Sequence, residues 1–277
     1  MSSPHRLPAA AHPLASISPQ ARIGCDCRID SGAVVPADCE LGDEVHVGPN
    51  VVFVEPDEGS TCRVGRACAR VRIGANAVIY PDVVLAAGVV VRPGAVVTRS
   101  VPHGAIVEGN PATIVGYVNT VHSRSTFATP ALERSTEPVQ KTAVDGVTLH
   151  RMHVVPDLRG SLTVGEFQRQ IPFTPLRYFI VFGVPSRETR GEHAHRQCHQ
   201  FLVCVRGSCT VVADDGQRRV EVRLDSLETG LYLPPMIWGI QYQYSSDAEL
   251  LVFASHHYDA DDYIRDYDDF LRAKAAS

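Results

Sequence analysis

The sequence has no apolar run approaching the roughly 20 residues that cross a bilayer, and no dense basic stretch. Its net charge is −5 with histidine neutral. A nucleic-acid surface needs the opposite sign, so neither nucleic acid nor membrane is an expected partner. The opening MSSPHRLPAAAHPLAS lacks the apolar stretch of a secretory signal, and a cytoplasmic location is expected. Cysteine is scattered rather than patterned, at 25, 27, 39, 62, 68, 198, 204 and 209. The one CxC pair, Cys25–Cys27, has no second pair at zinc-ribbon spacing. The cysteines therefore read as reduced, small, buried residues. What is plentiful is aliphatic: hydrophobic residues make up 44% of 277, enough to bury cores in about two domains.

The first half repeats every six residues. Aliphatic or aromatic anchors fall at Ile17, Ile23, Ile29, Val35, Leu41, Val47 and Phe53, then at Ile73, Ile79, Leu85, Val91 and Val97. Small or valine residues recur four positions after most anchors, as at Cys27, Ala33, Val45, Ala77 and Val89. Six matches neither the 3.6 period of a helix nor the alternation of a strand. It fits a coil with three short flat faces per turn, an inward anchor on each face, and Gly or Asn relieving the corners, with Gly24, Gly42, Gly48 and Gly74 each directly after an anchor. The two blocks are out of step, so an excursion is expected within residues 56–72.

From residue 101 the text reads VPHGAIVEGNPATIVGY. With the repeats, this stretch resembles the hexapeptide-repeat acyltransferases over residues 15–118. The resemblance implies a left-handed parallel β-helix that assembles as a homotrimer. It also implies acetyl-CoA as cosubstrate, lying between neighbouring coils against Ala86, Ala87 and Gly88. His46, the one histidine within the coil repeats, is a candidate base, with a plain surface residue the alternative. Asn50 and Glu55 are candidates to bind the substrate amine. The segment Phe53-Val54-Glu55-Pro56-Asp57 departs from the F-x-N-D-like pattern of related enzymes, and that departure bears on the identity of the base.

Residues 119–144 are Ser/Thr/Pro-rich without a period and read as a linker between domains 1–118 and 145–277. Beyond them the rhythm becomes two. RYFIVFGV, HQFLVCVRG, CTVVADDG, RRVEVRL, GLYLPP and AELLVFAS are short strands divided by turns, as in an antiparallel jelly roll or barrel. The acidic tail DADDYIRDYDDFLRAKAA turns helical, with Asp261 or Asp262 the expected cap.

Within this half lies RGEHAHRQCHQ, three histidines in seven positions. On a regular strand His193 and His195 share a face, and His199 joins them. Three readings are open. As a metal site the segment is incomplete: Gln200 stands where a carboxylate would serve, and LPPMIWGIQ supplies no further histidine, with Trp238 near that place. As a packed strand it buries several polar groups. As an acid–base site it offers imidazoles that titrate near neutrality, ringed by arginines suited to an anionic substrate.

The stretch DLRGSL…RGEHAH…QFLVCVRGS…GLYLPP…LLVFAS…DYIRDYDDF is similar to the dTDP-4-keto-6-deoxyglucose 3,4-ketoisomerases, metal-independent cupins. Joined to a hexapeptide acetyltransferase, the whole resembles the WxcM-type bifunctional enzymes. The expected fold is all-β, a left-handed β-helix followed by a cupin. The resemblance implies dTDP-sugar substrates, no metal, His193 as principal base with His195 as its partner, and Arg177 and Arg265 on the diphosphate. Arg190 is placed with them, or else orients the HxH strand through a carboxylate. Tyr232 and Trp238 line the sugar pocket or pack the core. An acetyltransferase acting on a dTDP-3-amino-3,6-dideoxyhexose for surface polysaccharide completes the expectation. A trimer, or a hexamer if the cupins also pair, is the expected assembly. The rival readings are a sugar-nucleotide sensor without turnover and a 3,5-epimerase-like cupin.

Overall fold

In a computed structural model, the structure describes residues 10–57, 60, 61, 63–123, 137–158, 160–185 and 188–276. The chain forms two compact units, Met1–Val118 and Asn119–Ser277. Among the described residues the structure is almost wholly β, with one helix, Tyr267–Ala275.

The first unit is the three-faced coil. Two-residue strands recur every six residues, and away from the excursion and the last turn each pairs in parallel with a strand 18 residues on, as Arg28 does with His46 and Ser16 with Val34. Three parallel sheets result. From Ile29 on the anchors point inward and are buried, as are the small residues four positions later, whereas Ile17, Ala21 and Ile23 in the first turn are half-buried. The corners carry the left-handed backbone at six-residue intervals, but mostly on Asp26, Asp38, Glu44, Asn50, Asn76 and Asp82 rather than glycine. Asn and Asp tolerate this region because their short side chains bond the local backbone. Gly42 and Gly48 have another task. A Cβ on Gly42 would lie 2.7 Å from the Ala69 amide nitrogen, and one on Gly48 2.7 Å from the Ile73 carbonyl oxygen, so these glycines let successive coils touch.

The excursion is shorter than the sequence implied. His46 pairs with Arg72, 26 residues on, so eight residues are inserted. The coil has already resumed at Arg66–Ala67. The inward anchor there is Ala67, too small to stand out among Ile and Val. The strand Ala105–Gly109 adds to the first sheet, and Ala112–Tyr117 folds back against it.

The second unit is a jelly roll of two six-stranded sheets plus the hairpin His153–Asp157/Gly160–Val164. Its main core takes Leu202, Leu231 and Leu250 from one sheet and Val211, Val220 and Val222 from the other. Residues 119–144 are not a plain linker. Thr120–Ser123 pairs with Arg219–Leu224, and Val139–Lys141 pairs with Thr148–Arg151, so both ends belong to cupin sheets. Residues 124–136 of that segment lie outside the described residues. The cap of the helix is Asp266, whose carboxylate accepts the Asp269 amide, and neither Asp261 nor Asp262 serves. Among the described cysteines, Cys27, Cys39, Cys198, Cys204 and Cys209 are buried free thiols, whereas Cys25 and Cys68 are half-exposed; Cys62 lies outside the described residues. No helix among the described residues is long and apolar enough to cross a membrane.

Candidate functional site

The HxH strand, Arg190–His195, does not run regularly. Its pairing with Trp238–Tyr242 shifts between Gly191 and His193, and Gly191 and Glu192 both have positive φ, 82° and 52°. This bulge re-aims the strand as its histidines enter the barrel. His193 donates from Nδ1 to the Gly191 carbonyl at 2.9 Å. Its Nε2 has no hydrogen-bond partner among the described residues. Burial holds its pKa down to about 4, so the imidazole is neutral with a free lone pair.

His195 lies beside it, ring centroids 5.0 Å apart. Its Nδ1 donates to Asp262 Oδ2 at 2.7 Å, and its Nε2 accepts from the Gln200 side-chain amide at 3.0 Å. Burial lowers its pKa despite the carboxylate. Asp262 is held in turn by the Gln197 amide on Oδ1 at 2.7 Å. Its pKa falls below the usual carboxylate range although burial opposes this, because His195 and backbone amides bond the charged form. Tyr263 packs its ring against both histidines at 4.9 and 4.3 Å.

Of these groups His193, Gln200 and Tyr263 line a cleft of about 510 Å3, together with Phe179, Val181, Arg190 and Gln241. Arg177 opens the strand Arg177–Phe182, its guanidinium 5.6 Å from both the Phe179 and Tyr258 rings, and its buried Nε has no hydrogen-bond partner. Arg265 lies 4.4 Å over Tyr263. Both cations also depress the His195 pKa, so both sit within its field. Arg190 lines the cleft with no carboxylate partner among the described residues, so it does not orient the strand through an ion pair.

The expectation for His199 is corrected, and of the two readings open for Tyr232 and Trp238 the structure gives packing. His199 leaves the set because the chain bends after His195; it bonds the Tyr232 hydroxyl at 2.6 Å and stacks on that ring. Tyr232 therefore belongs to a separate aromatic cluster with Phe173 and His150 rather than to the sugar pocket. Trp238 is core, edge-on to Tyr267. On the cleft side the HxH pair offers two imidazoles and the neutral Gln200 amide, without the glutamate and further histidine of a metal-binding cupin; the nearby carboxylate, Asp262, lies behind His195 on its Nδ1.

In the coil, His46 projects outward in a row with Arg28 and Arg72. Its Nε2 donates to Asp30 Oδ2 at 2.8 Å, and Arg28 Nε holds Asp30 Oδ1 at 2.8 Å. His46, then Arg28, keep the Asp30 carboxyl below its ordinary range. No hydrogen bond or ion pair joins His46 to Asn50 or Glu55. Asn50 is a left-handed corner residue whose amide reaches Asn76 at 3.3 Å. Glu55 is exposed on the rim of a cleft of about 480 Å3 over Val34, Val52 and Val54. Ala86, Ala87 and Gly88 form another corner. The Ala86 and Gly88 amides bond Val101 and Ala69 within the coil, and Ala87 accepts from Gly104. Asp30 and Tyr263 escaped the sequence reading, while Asp262 was read as a helix cap and Gln200 only as a poor metal ligand.

Residues 145–275 match the family described as FdtA: WxcM-like, C-terminal. Over 116 residues the chain is 46% identical to the TDP-4-oxo-6-deoxy-alpha-D-glucose-3,4-oxoisomerase of Aneurinibacillus thermoaerophilus, covering 42% of this chain and 84% of that protein. The chain belongs to this family. Its first unit matches the bacterial transferase hexapeptide (six repeats) family over 20–54 and 68–99, leaving out the excursion. There it is 36% identical over 96 residues to a 2,3,4,5-tetrahydropyridine-2,6-dicarboxylate N-acetyltransferase of Staphylococcus aureus strain JH9, covering 34% of this chain and 39% of that enzyme's length. Among solved structures, the QdtA 3,4-ketoisomerase of Thermoanaerobacterium thermosaccharolyticum in complex with TDP is 32% identical, covering 48% of this chain and 97% of that one, with a TM-score of 0.47.

Proposed function

We propose that the C-terminal unit interconverts TDP-4-keto-6-deoxyglucose and its 3-keto isomer without a metal, and that the coil transfers acetyl from acetyl-CoA to the amine of a TDP-3-amino-3,6-dideoxyhexose. The observation that carries the first half is His193 Nε2, a free, neutral base in a cleft lined by Arg190, with Arg177 and Arg265 close enough to act on His195 and suited to a diphosphate. His193 takes the proton from C3. The C–H electrons become the C3–C4 double bond, and the C4 oxygen takes the carbonyl pair as an enediolate. The C3 hydroxyl proton passes to the C4 oxygen, the C3 carbonyl forms, and the imidazolium returns its proton to C4. Nothing is oxidised overall. His195, held by Asp262 on Nδ1 and by the Gln200 amide on Nε2, positions the site around His193. Arg177 and Arg265 hold the phosphates.

In the coil, His46 with Asp30 is the base for the amine, and the Ala86–Gly88 corner meets the cosubstrate. The second unit's product is a ketone at C3, so an external aminotransferase acts between the two steps. The final acetamido sugar serves surface polysaccharide, made in the cytoplasm. The apolar outward row Val34, Val52, Val78 and Val96 on one face of the coil supports self-association as a trimer, and the exposed row Tyr178, Ile180 and Phe182 supports further pairing of cupins into a hexamer.

The test is position-specific deuterium uptake from D2O during turnover. Label at C4 of the product supports the ketoisomerase. Label at C5 overturns it in favour of an epimerase. Release of free thiol from acetyl-CoA on the 3-amino sugar nucleotide tests the coil.

A further inference from the structure

On the side of His195 away from Gln200, three groups of metal-ligating type converge. His195 Nδ1, Cys198 Sγ and an Asp262 carboxylate oxygen all lie within 4.8 Å of one another. The convergence is built locally: the bend at Arg196–Gln197 brings Cys198 back beside His195, while Asp262 is tied to that bend by the Gln197 amide at 2.7 Å. His195 and Cys198 are buried, and the Asp262 side chain nearly so. The thiol has only weak bonds here, to the His199 carbonyl at 3.4 Å and from the Ser255 hydroxyl at 3.9 Å.

Thiolate, imidazole and carboxylate are the donor set of zinc and the later divalent transition metals, and three protein ligands leave one position for water. In a tetrahedral site with bonds of about 2.0–2.3 Å, donor atoms stand roughly 3.3–3.8 Å apart. The present set needs only small shifts to reach that spacing. One shift has a chemical consequence: the 2.7 Å hydrogen bond between His195 and Asp262 must open, since the ion takes the Nδ1 lone pair that the proton now occupies. The imidazole proton then sits on Nε2, toward Gln200. Ion and hydrogen bond exclude each other.

We propose that His195, Cys198 and Asp262 form a site for a thiophilic divalent cation of the zinc class, and that loading it silences the ketoisomerase half. The second clause rests on the reading of the cleft given above. The ion takes no part in the reaction; it removes the carboxylate partner of His195 and reverses its tautomer.

Cobalt(II) added to EDTA-stripped, full-length protein under anaerobic conditions is the test. The expected result is a thiolate-to-cobalt charge-transfer band with the intense visible bands of a four-coordinate ion, bleached by zinc. That component is absent from both Cys198→Ser and Cys198→Ala, whereas any signal from Cys25–Cys27 persists in them. Saturation lowers deuterium exchange into the sugar at least about tenfold, relative to each protein's own metal-free rate, and EDTA restores it. The Cys198 variants escape this inhibition. A wild type with no band, a band unchanged in both variants, or saturation that leaves the exchange rate intact overturns the proposal. If stripped wild type exchanges no deuterium at all, the ketoisomerase reading has failed, and the cobalt spectrum alone decides the site.

Discussion

Replacing Asp262 by asparagine isolates what one negative charge does behind His195. The carboxylate accepts two hydrogen bonds of 2.7 Å, one from His195 Nδ1 and one from the Gln197 amide. An asparagine oxygen can keep only one of them, and the bend at Arg196–Gln197 competes for it. The other side of the amide is an N–H that faces Nδ1 and turns the imidazole to the Nε2–H tautomer, against the Gln200 amide 3.0 Å away. A hydrogen bond to a charged group contributes about 1.5–3 kcal/mol, so kcat is expected to fall roughly 10- to 150-fold. KM is expected to change little, because Asp262 does not line the cleft. The assay is the initial rate of isomer formation by proton NMR at saturating sugar nucleotide, with thermal unfolding followed in parallel. A kcat within about twofold of wild type, with the fold intact, refutes the role assigned to this carboxylate.

Arg177→Ala is expected to raise KM for the sugar nucleotide by roughly 10- to 100-fold with kcat little changed, measured by steady-state kinetics, because its buried Nε has no protein partner and is left for an anion. In the coil, His46→Ala is expected to slow acetyl transfer roughly 100-fold, while Asp30→Asn slows it only about twofold to fivefold because that pair is partly solvated; thiol release from acetyl-CoA reports both. Phe53→Ala empties a fully buried anchor beside the excursion and is expected to cost about 3–5 kcal/mol in denaturant unfolding of the coil.

The coil was legible because its physics is repetitive. Every turn imposes the same inward anchor, so one period declares the architecture. What the period hid was local. Ala67 fills an anchor position without looking like one, and the corner role passed to Asp and Asn while Gly42 and Gly48 served coil-to-coil contact. In the cupin, strands and the HxH pair were legible from alternation and residue type. The bulge at Gly191–Glu192 was not, and it decides where the histidines point. Asp262 stands 67 positions beyond His195, within an acidic run that reads as a helix cap, and only the fold brings the two together. Its neighbour in the sequence, Tyr263, carries no signal beyond the DYIRDYD stretch itself. Tyr232 and Trp238 had the residue type of a sugar platform, yet the tertiary context put both into packed clusters.

The most direct measurement is a proton NMR time course in D2O with EDTA-stripped protein and TDP-4-keto-6-deoxyglucose, wild type beside His193→Asn. The expected result is conversion to the 3-keto isomer with deuterium at C4 in the wild type, and a loss of roughly 100- to 10,000-fold in the variant. An unchanged spectrum from both proteins, or equal rates in both, contradicts a metal-free isomerase that works through His193.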